Sequence, residues 1–180
     1  MKFSSLNRKS QAMSMPFTMI FSLIVIAFII YVGFITIKGF LENADRIKIA
    51  DFATSFKYDV NTLWQATAGS KAYSYNVPSK ITQICFASSA RAFTTSQNTS
   101  QIVFDIKKLS NYQNSNLFLY PLSAPLALGI PASYKIDCGE TTKVDCLDLS
   151  SIPNPYCIPT DKGSFKINLE KSGRVVKVVE

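Results

Sequence analysis

Residues Pro16 to Ile37 read PFTMIFSLIVIAFIIYVGFITI, a run of 22 residues without a charged side chain. A helix of this length extends about 33 Å, which is enough to cross a hydrocarbon core of about 30 Å. Lipid offers the backbone no hydrogen-bond partners, so the chain must satisfy its own N–H and C=O groups, as a helix does. The run, called the apolar span below, therefore predicts a transmembrane helix over residues 16–38, with the lipid bilayer as its partner.

A removable secretory signal is the alternative interpretation of the apolar span. The apolar region of such signals usually has about 7–15 residues, fewer than are present here. Lys38-Gly39-Phe40 follows the span where a small-x-small cleavage site would be expected. We therefore expect an anchor that signal peptidase does not remove, preceded by a basic tail over residues 1–15.

Residues 39–69 carry a second helical pattern, with apolar side chains on one side only. The apolar residues recur in steps of three and four, which is the period of an amphipathic helix. They are Ile49, Phe52, Phe56, Val60 and Leu63. The pattern predicts that the transmembrane helix continues into an amphipathic helix whose apolar stripe packs against the rest of the chain.

The remaining residues, 70–180, are called the head. Short apolar runs there alternate with turn residues, and three of the runs predict strands. They are Ile81–Phe86, Gln101–Ile106 and Asn116–Tyr120. The segment from Pro121 to Pro131 contains three prolines and a glycine, so it predicts a loop.

The clearest local signal in the head is a C-terminal β-hairpin. Ser164 to Glu170 alternates apolar and polar side chains, Lys171-Ser172-Gly173 predicts a turn, and Arg174 to Val179 returns. We expect the apolar face of the hairpin to cover the apolar stripe of the amphipathic helix. The predicted fold class is α+β: a long N-terminal helix packed against a small antiparallel, β-rich head.

The distribution of charge argues against a nucleic-acid partner. The formal charge is +7, but all 12 acidic residues lie beyond Lys38, where the basic residues are dispersed. A nucleic-acid-binding protein would cluster basic residues with aromatic ones. We interpret the dispersed charged residues as a solvated surface.

The absence of histidine from the chain limits its chemistry. It removes Ser-His and Cys-His catalytic pairs and most catalytic zinc sites. The chain contains no GxSxG motif, no SxxK motif and no glycine-rich phosphate loop. We therefore predict a non-enzymatic protein without catalytic residues, cofactor or bound metal.

Four cysteines, Cys85, Cys138, Cys146 and Cys157, follow the apolar span. Their even number predicts two disulfides in an oxidising compartment. The pairing Cys138 with Cys146 is favoured because seven residues separate them, which leaves Cys85 with Cys157. A four-cysteine zinc site and buried free thiols are the alternatives, although zinc sites usually contain a CxxC-like pair.

The orientation in the membrane follows from the basic tail and the cysteines. Lys2, Arg8 and Lys9 face no acidic residue within the tail, and basic residues favour the cytoplasmic side. We expect a single-pass protein of the cell membrane with a cytoplasmic N-terminus and an extracytoplasmic head. Asn98-Thr99-Ser100 fits the N-glycosylation pattern and is a candidate glycan site.

The order of a basic tail, an apolar helix, an amphipathic helix and a β-rich head resembles type IV pilins and pseudopilins. The resemblance covers the first 70 or so residues, and within them the junction RKSQAMS, Arg8 to Ser14, resembles an archaeal class III signal. The resemblance implies cleavage between Ser10 and Gln11 and a helical spine that packs with copies of itself. Ser10 stands where the family usually has glycine or alanine, and Met15 stands where many pilins have glutamate.

Two functional hypotheses follow from these patterns. The first is a membrane-anchored surface protein of pilin-like plan, structural or adhesive, whose apolar helix contacts lipid and its own copies. The second is a single-pass accessory or binding subunit of a membrane complex that does not form filaments. The N-terminus of the mature protein distinguishes them, since only the first implies a start at Gln11.

Overall fold

The computed structural model describes residues 14–94, 100–109, 112–139 and 144–179. Its fold is α+β, as predicted, with one long helix followed by a head of strands, two short α-helices and a 3₁₀ turn at Tyr112–Asn114. The chain divides into two units between Asn43 and Ala44. The second half of the long helix therefore belongs to the same unit as the head.

Helix α1 extends from Ser14 to Gln65 and includes both predicted helical segments. It continues through Gly39 without interruption. It ends at Gln65, before residue 69 where the predicted amphipathic helix ends, because the chain enters a strand at Gly69. Two shorter helices, α2 (Ser100–Lys108) and α3 (Ser123–Ala127), lie in the head.

Among the described residues, eight strands form two four-stranded sheets. In chain order they are β1 (Gly69–Asn76), β2 (Gln83–Phe86), β3 (Leu117–Tyr120), β4 (Ser133–Tyr134), β5 (Leu147–Asp148), β6 (Tyr156–Pro159), β7 (Ser164–Ser172) and β8 (Val175–Val179). Sheet A has the order β1-β7-β8-β5, and sheet B has the order β4-β3-β2-β6. All pairings are antiparallel except that of β5 with β8.

The predicted C-terminal hairpin is confirmed as β7 and β8, the centre of sheet A. Apolar side chains alternate with polar ones along β7, and every apolar one is buried. The sequence prediction missed β1, which pairs with β7 over eight consecutive residues. Beyond β1, the Val77 N–H donates to the Gly163 carbonyl at 2.7 Å. A Cβ on Gly163 would lie 2.4 Å from the Val77 carbonyl oxygen, so only glycine fits this approach.

The core lies where α1 meets both sheets. The apolar stripe of α1 is buried as predicted: Phe52 lies 5.5 Å from Phe165 of sheet A, and Phe56 lies 5.7 Å from Phe86 of sheet B, between ring centroids. Phe56 has 0% exposure. The predicted cover of the helix by the hairpin is therefore confirmed, and sheet B contributes a second wall.

The predicted strand Gln101–Ile106 is wrong, since this segment lies in helix α2. Its buried residues, Ile102, Val103 and Ile106, have the one-sided spacing of a helix. Ile102 and Ile106 pack with Cys85 and Phe118 of sheet B in a second, smaller core cluster. Six residues are too few to separate helical from strand periodicity when the apolar residues are consecutive.

The predicted strands near Ile84 and Leu119 are confirmed as β2 and β3. Both are shorter than predicted, beginning at Gln83 and Leu117. The predicted proline-rich loop contains the one-turn helix α3. Successive side chains of a strand point to opposite faces of the sheet. Accordingly, the main core contains Ile84 of β2 and Leu119 of β3, whereas the smaller cluster contains Cys85 and Phe118.

Candidate functional site

The most extensive functional feature of the described chain is the apolar surface of α1 before the head. Large apolar side chains are exposed on all sides of the helix there. They are Met19, Ile20, Phe21, Leu23, Ile24, Val25, Ile26, Phe28, Ile29, Ile30, Tyr31, Val32, Phe34, Ile35 and Ile37. Among the described residues, α1 is the one helix that is long and apolar enough to cross a membrane. A continuous apolar patch of this size marks a surface that contacts lipid or another protein.

Two hydroxyl groups within this surface bond to the helix itself. The Ser22 hydroxyl donates to the Met19 carbonyl at 2.9 Å, and the Thr36 hydroxyl donates to the Val32 carbonyl at 2.8 Å. These bonds let hydroxyl groups occupy an apolar environment at low cost. Lys38, the first charge after the apolar span, lies with its Nζ 4.8 Å from the Phe34 ring centroid. The surface is thus compatible with burial in hydrocarbon up to its end.

The two disulfides are the next feature, and both are the favoured pairings. Cys85 and Cys157 are directly opposite each other on β2 and β6, with 72 residues of separation and 4.0 Å between Cα atoms. Their bond crosses sheet B beneath α2. It therefore joins the central strand β2 to the edge strand β6, which are distant in sequence.

The second disulfide joins Cys138 to Cys146, which lie eight positions apart in the sequence, and closes a short loop. Cys138 and Val144 form an antiparallel bridge at the base of that loop. The Val176 N–H donates to the Cys146 carbonyl at 2.7 Å, which ties the loop to β8. All four cysteines are paired, so neither a four-cysteine zinc site nor free thiols are present.

A buried asparagine fixes the loops at one end of the head. Asn154 has 2% exposure. Its Nδ2 donates to the carbonyls of Ser88, Arg91 and Ala92 at 2.9, 3.0 and 3.3 Å, and its Oδ1 accepts from the Ser88 N–H at 3.0 Å. Both functional groups of the amide are satisfied, as burial requires. The sequence prediction missed this residue, because its partners are more than sixty positions away.

Arg91 supports the same connection from the other side. Its Nη1 donates to the carbonyl of Leu149 and, at 3.1 Å, to that of Ile152. A guanidinium group that holds backbone carbonyls has a structural use. Together with Asn154 it joins the segment after β2 to the segment before β6.

Between these segments lies a small polar cavity of about 230 Å³. Arg91, Lys135, Asp145 and Asp148 contribute charges to its lining. Lys135 forms an ion pair with Asp145. The Ser150 N–H, which donates to Asp148 at 2.8 Å, lowers the pKa of the Asp148 carboxyl, which stays ionised at neutral pH. Positive and negative groups are mutually compensated here, and this arrangement resembles a structural network more than a reactive centre.

Metal binding has no candidate among the residues that the structure describes. No group of three Cys, Asp or Glu side chains converges on one point there. Of the acidic residues between positions 137 and 148, Asp137 pairs with Lys57 of α1 and Asp145 pairs with Lys135. The chain folds them into separate ion pairs.

Three residues singled out from the sequence, Ser10, Gln11 and Asn98, lie outside the described residues. The proposed cleavage site and the glycan site therefore stay predictions. The chain matches no protein-family model, no curated protein and no solved structure. A function is accordingly proposed from the apolar helix surface and the disulfide-linked head.

Proposed function

We propose that this protein is a membrane-anchored, non-enzymatic surface protein of pilin-like plan, with a structural or adhesive role. One observation carries the proposal: the first half of α1 exposes apolar side chains on every side and has no charge from Thr18 to Ile37. A helix that is apolar all round needs lipid or other helices about it. Its second half is one-sided and is covered by the head.

An extracytoplasmic location of the head is supported by its cysteines. Both disulfides lie in the head, and disulfides persist in oxidising compartments but are rare in the cytosol. The unopposed basic residues Lys2, Arg8 and Lys9 favour a cytoplasmic tail. Membrane insertion with a cytoplasmic N-terminus satisfies both tendencies.

The pilin-like part of the proposal rests on the order of its segments and on the junction Arg8 to Ser14. Cleavage before Gln11 would leave the apolar helix at the new N-terminus. Copies could then pack through that helix, because lipid tails offer it no advantage over the apolar side chains of a neighbour.

The second candidate is an anchored accessory subunit that does not form filaments. Met15 favours it, because this residue stands where many pilins have glutamate and a thioether carries no charge. A neighbour's new amino group would then lack a partner within the apolar bundle, which is costly in a low-dielectric environment.

The mass of the mature protein purified from membranes separates the two candidates. A chain that starts at Gln11 supports the pilin-like plan, and loss of the cut in an Arg8→Asn/Lys9→Asn variant would show that the basic junction directs it. A chain that retains its first ten residues contradicts that plan and supports the accessory subunit.

Topology is tested with single cysteines and a membrane-impermeant thiol reagent applied to intact cells. Tyr58→Cys introduces a thiol at a position with 69% exposure in the unit that contains the head, and we expect it to be labelled. Met13→Cys should react only after the membrane is permeabilised. The reverse pattern would contradict an extracytoplasmic head.

A further inference from the structure

Strand β1 is an end strand of sheet A with an unusually complete backbone register. Gly69 to Asn76 pairs with β7 over eight consecutive residues and without a bulge. Within the described part of the chain, β7 is the strand with which β1 pairs. The opposite edge of β1 therefore presents backbone groups that can pair with another strand.

The residues that face this edge follow from one hydrogen bond. The Val77 N–H donates to the Gly163 carbonyl on the β7 side. In an antiparallel pair every second residue directs its backbone groups toward the partner, so the odd-numbered residues of β1 face β7. The outward-facing residues are Ser70, Ala72, Ser74 and Asn76, and all four are exposed.

Features that usually protect an edge strand are largely missing from β1. The strand has no proline and one charged residue, Lys71. The Lys71 Nζ lies 4.9 Å from the Tyr73 ring centroid. Natural edges are commonly protected by prolines, bulges, several charges or a short length. An unprotected edge of eight residues is characteristic of strands that pair with another chain.

We propose that β1 is a self-association edge, at which a second copy of this chain adds its own β1 in antiparallel pairing with Tyr73 opposite Tyr73. This register places Ser70 opposite Asn76 and Ala72 opposite Ser74. All four outward-facing residues of each copy then find outward-facing partners. The pairing forms about eight backbone hydrogen bonds, two for each of the four pairs.

The side chains suit this register as well as the backbone does. Tyr73 is half-buried and its ring stacks on Tyr75, with centroids 6.1 Å apart and an interplanar angle of 13°. The two Tyr73 rings would meet as a cross-strand aromatic pair, which stabilises sheets. Lys71 comes opposite Tyr75 and not opposite its own counterpart, so like charges are not brought together.

Symmetry is the reason for choosing a second copy as the occupant. In this register the two strands are related by a two-fold axis at Tyr73, and every contact occurs twice, as in an isologous interface. Directly opposite residues of antiparallel strands point to the same face. The two copies of sheet A would therefore continue as one sheet with their buried faces on the same side.

Disulfide trapping of the full chain in lipid vesicles tests the register. Tyr73→Cys places two thiols on the two-fold axis, where opposite Cα atoms are about 4.5 Å apart, close enough for a disulfide. We expect diamide, as the oxidant, to convert most of this variant to a covalent dimer. Ser70→Cys is the control, because its two copies would lie about 20 Å apart along the strands at 3.4 Å per residue.

Charge substitution at the same position gives a second test. Tyr73→Lys and Tyr73→Glu each place like charges opposite each other, so we expect each to lower dimerisation at least tenfold in dilute detergent. An equal mixture of the two variants should restore dimers. Equal trapping of the Tyr73→Cys and Ser70→Cys variants, or no rescue in the mixture, would overturn the proposal and leave membrane anchoring unaffected.

Discussion

Phe56 is the aromatic residue at which α1, sheet A and sheet B meet. It has 0% exposure, and its ring lies 5.6 Å from that of Tyr75 and 5.7 Å from that of Phe86. We expect Phe56→Ala to lower the free energy of unfolding of the head by about 3–5 kcal/mol, because a cavity replaces a fully buried ring. Urea denaturation in detergent, followed by tryptophan fluorescence, measures the change.

Tyr58→Ala is the control for this substitution. Tyr58 lies two residues farther along the same helix and has 69% exposure. Its removal should change the unfolding free energy by less than about 0.5 kcal/mol. Equal losses for the two variants would contradict the position of the core on this side of α1.

Asp148 links the stability of the head to pH. The hydrogen bonds from Ser150 are the main cause that lowers its pKa below the ordinary value of 3.8. A lowered pKa in the folded state contributes stability above the unfolded pKa, and this contribution is lost as the pH falls through the folded pKa. We expect Asp148→Asn to lower the urea midpoint at pH 7. The urea midpoints of this variant at pH 7 and at about pH 2 should therefore differ less than those of the unmodified chain.

Asp51→Asn is the control for the pH experiment, since it removes the same charge at an exposed position of α1. Its urea midpoint should depend on pH as that of the unmodified chain does. An Asp148→Asn variant that loses as much stability on acidification as the unmodified chain would show that the hydrogen bonds from Ser150 do not contribute.

At the scale of elements, the two disulfides stabilise the head to different degrees. Cys85 and Cys157 are 72 residues apart, and Cys138 and Cys146 are eight apart. Loop-closure entropy predicts losses of about 4 kcal/mol and about 2.5 kcal/mol when each pair is replaced by alanine. Thermal or urea unfolding of the two double variants, measured side by side, checks this order.

The order of the two losses is the informative result. Both pairs are replaced by the same residue type, and three of the four cysteines have 0% or 1% exposure, so differences in solvation are small. A larger loss for the Cys138–Cys146 pair would mean that local packing, and not loop closure in the unfolded chain, determines their contribution.

The predictability of each element depends on how much of its pattern is local. The hairpin of β7 and β8 was predictable because apolar and polar side chains alternate from Ser164 to Glu170 and the turn contains Gly173. Strand β1 was not, since five of its eight residues are glycine, serine, alanine or lysine and only Tyr73 and Tyr75 alternate. Pairing with β7 makes it a strand, and no window within β1 contains that information.

At the scale of the whole molecule, membrane anchoring depends on the uncharged middle of α1. Ile26 lies near the centre of the apolar span and has 53% exposure. We expect Ile26→Arg to add about 3 kcal/mol to the free energy of insertion and to reduce the carbonate-resistant membrane fraction. Ile26→Leu is the matched control and should remain membrane-bound.

A fully retained Ile26→Arg variant would contradict single-helix anchoring. Recovery of the unmodified full-length chain as a soluble monomer without detergent would contradict it more broadly. The apolar span exposes many large apolar side chains, which include Phe21, Phe28 and Phe34. The bilayer, or a bundle of such helices, is the environment in which these side chains are stable.

The features of the candidate site also differ in whether the sequence predicts them. The apolar helix surface and the favoured disulfide pairs were predictable from sequence, because hydropathy, length and cysteine spacing are local or countable quantities. Asn154 and Arg91 were not, since their partners lie 58 to 66 positions away. Their partners are mostly backbone carbonyls, which every residue carries and no side-chain pattern marks.

The amino-acid sequence alone determined the long helix, its change from apolar to one-sided, the C-terminal hairpin and the α+β class. Each of these follows from a local pattern of apolar and polar residues that extends over seven or more positions. Tertiary structure alone decided that Gln101–Ile106 is helical, that β1 joins sheet A, and which loops Asn154 connects. Those outcomes depend on burial against distant segments, and the free energy of such contacts exceeds the small intrinsic preferences of short runs.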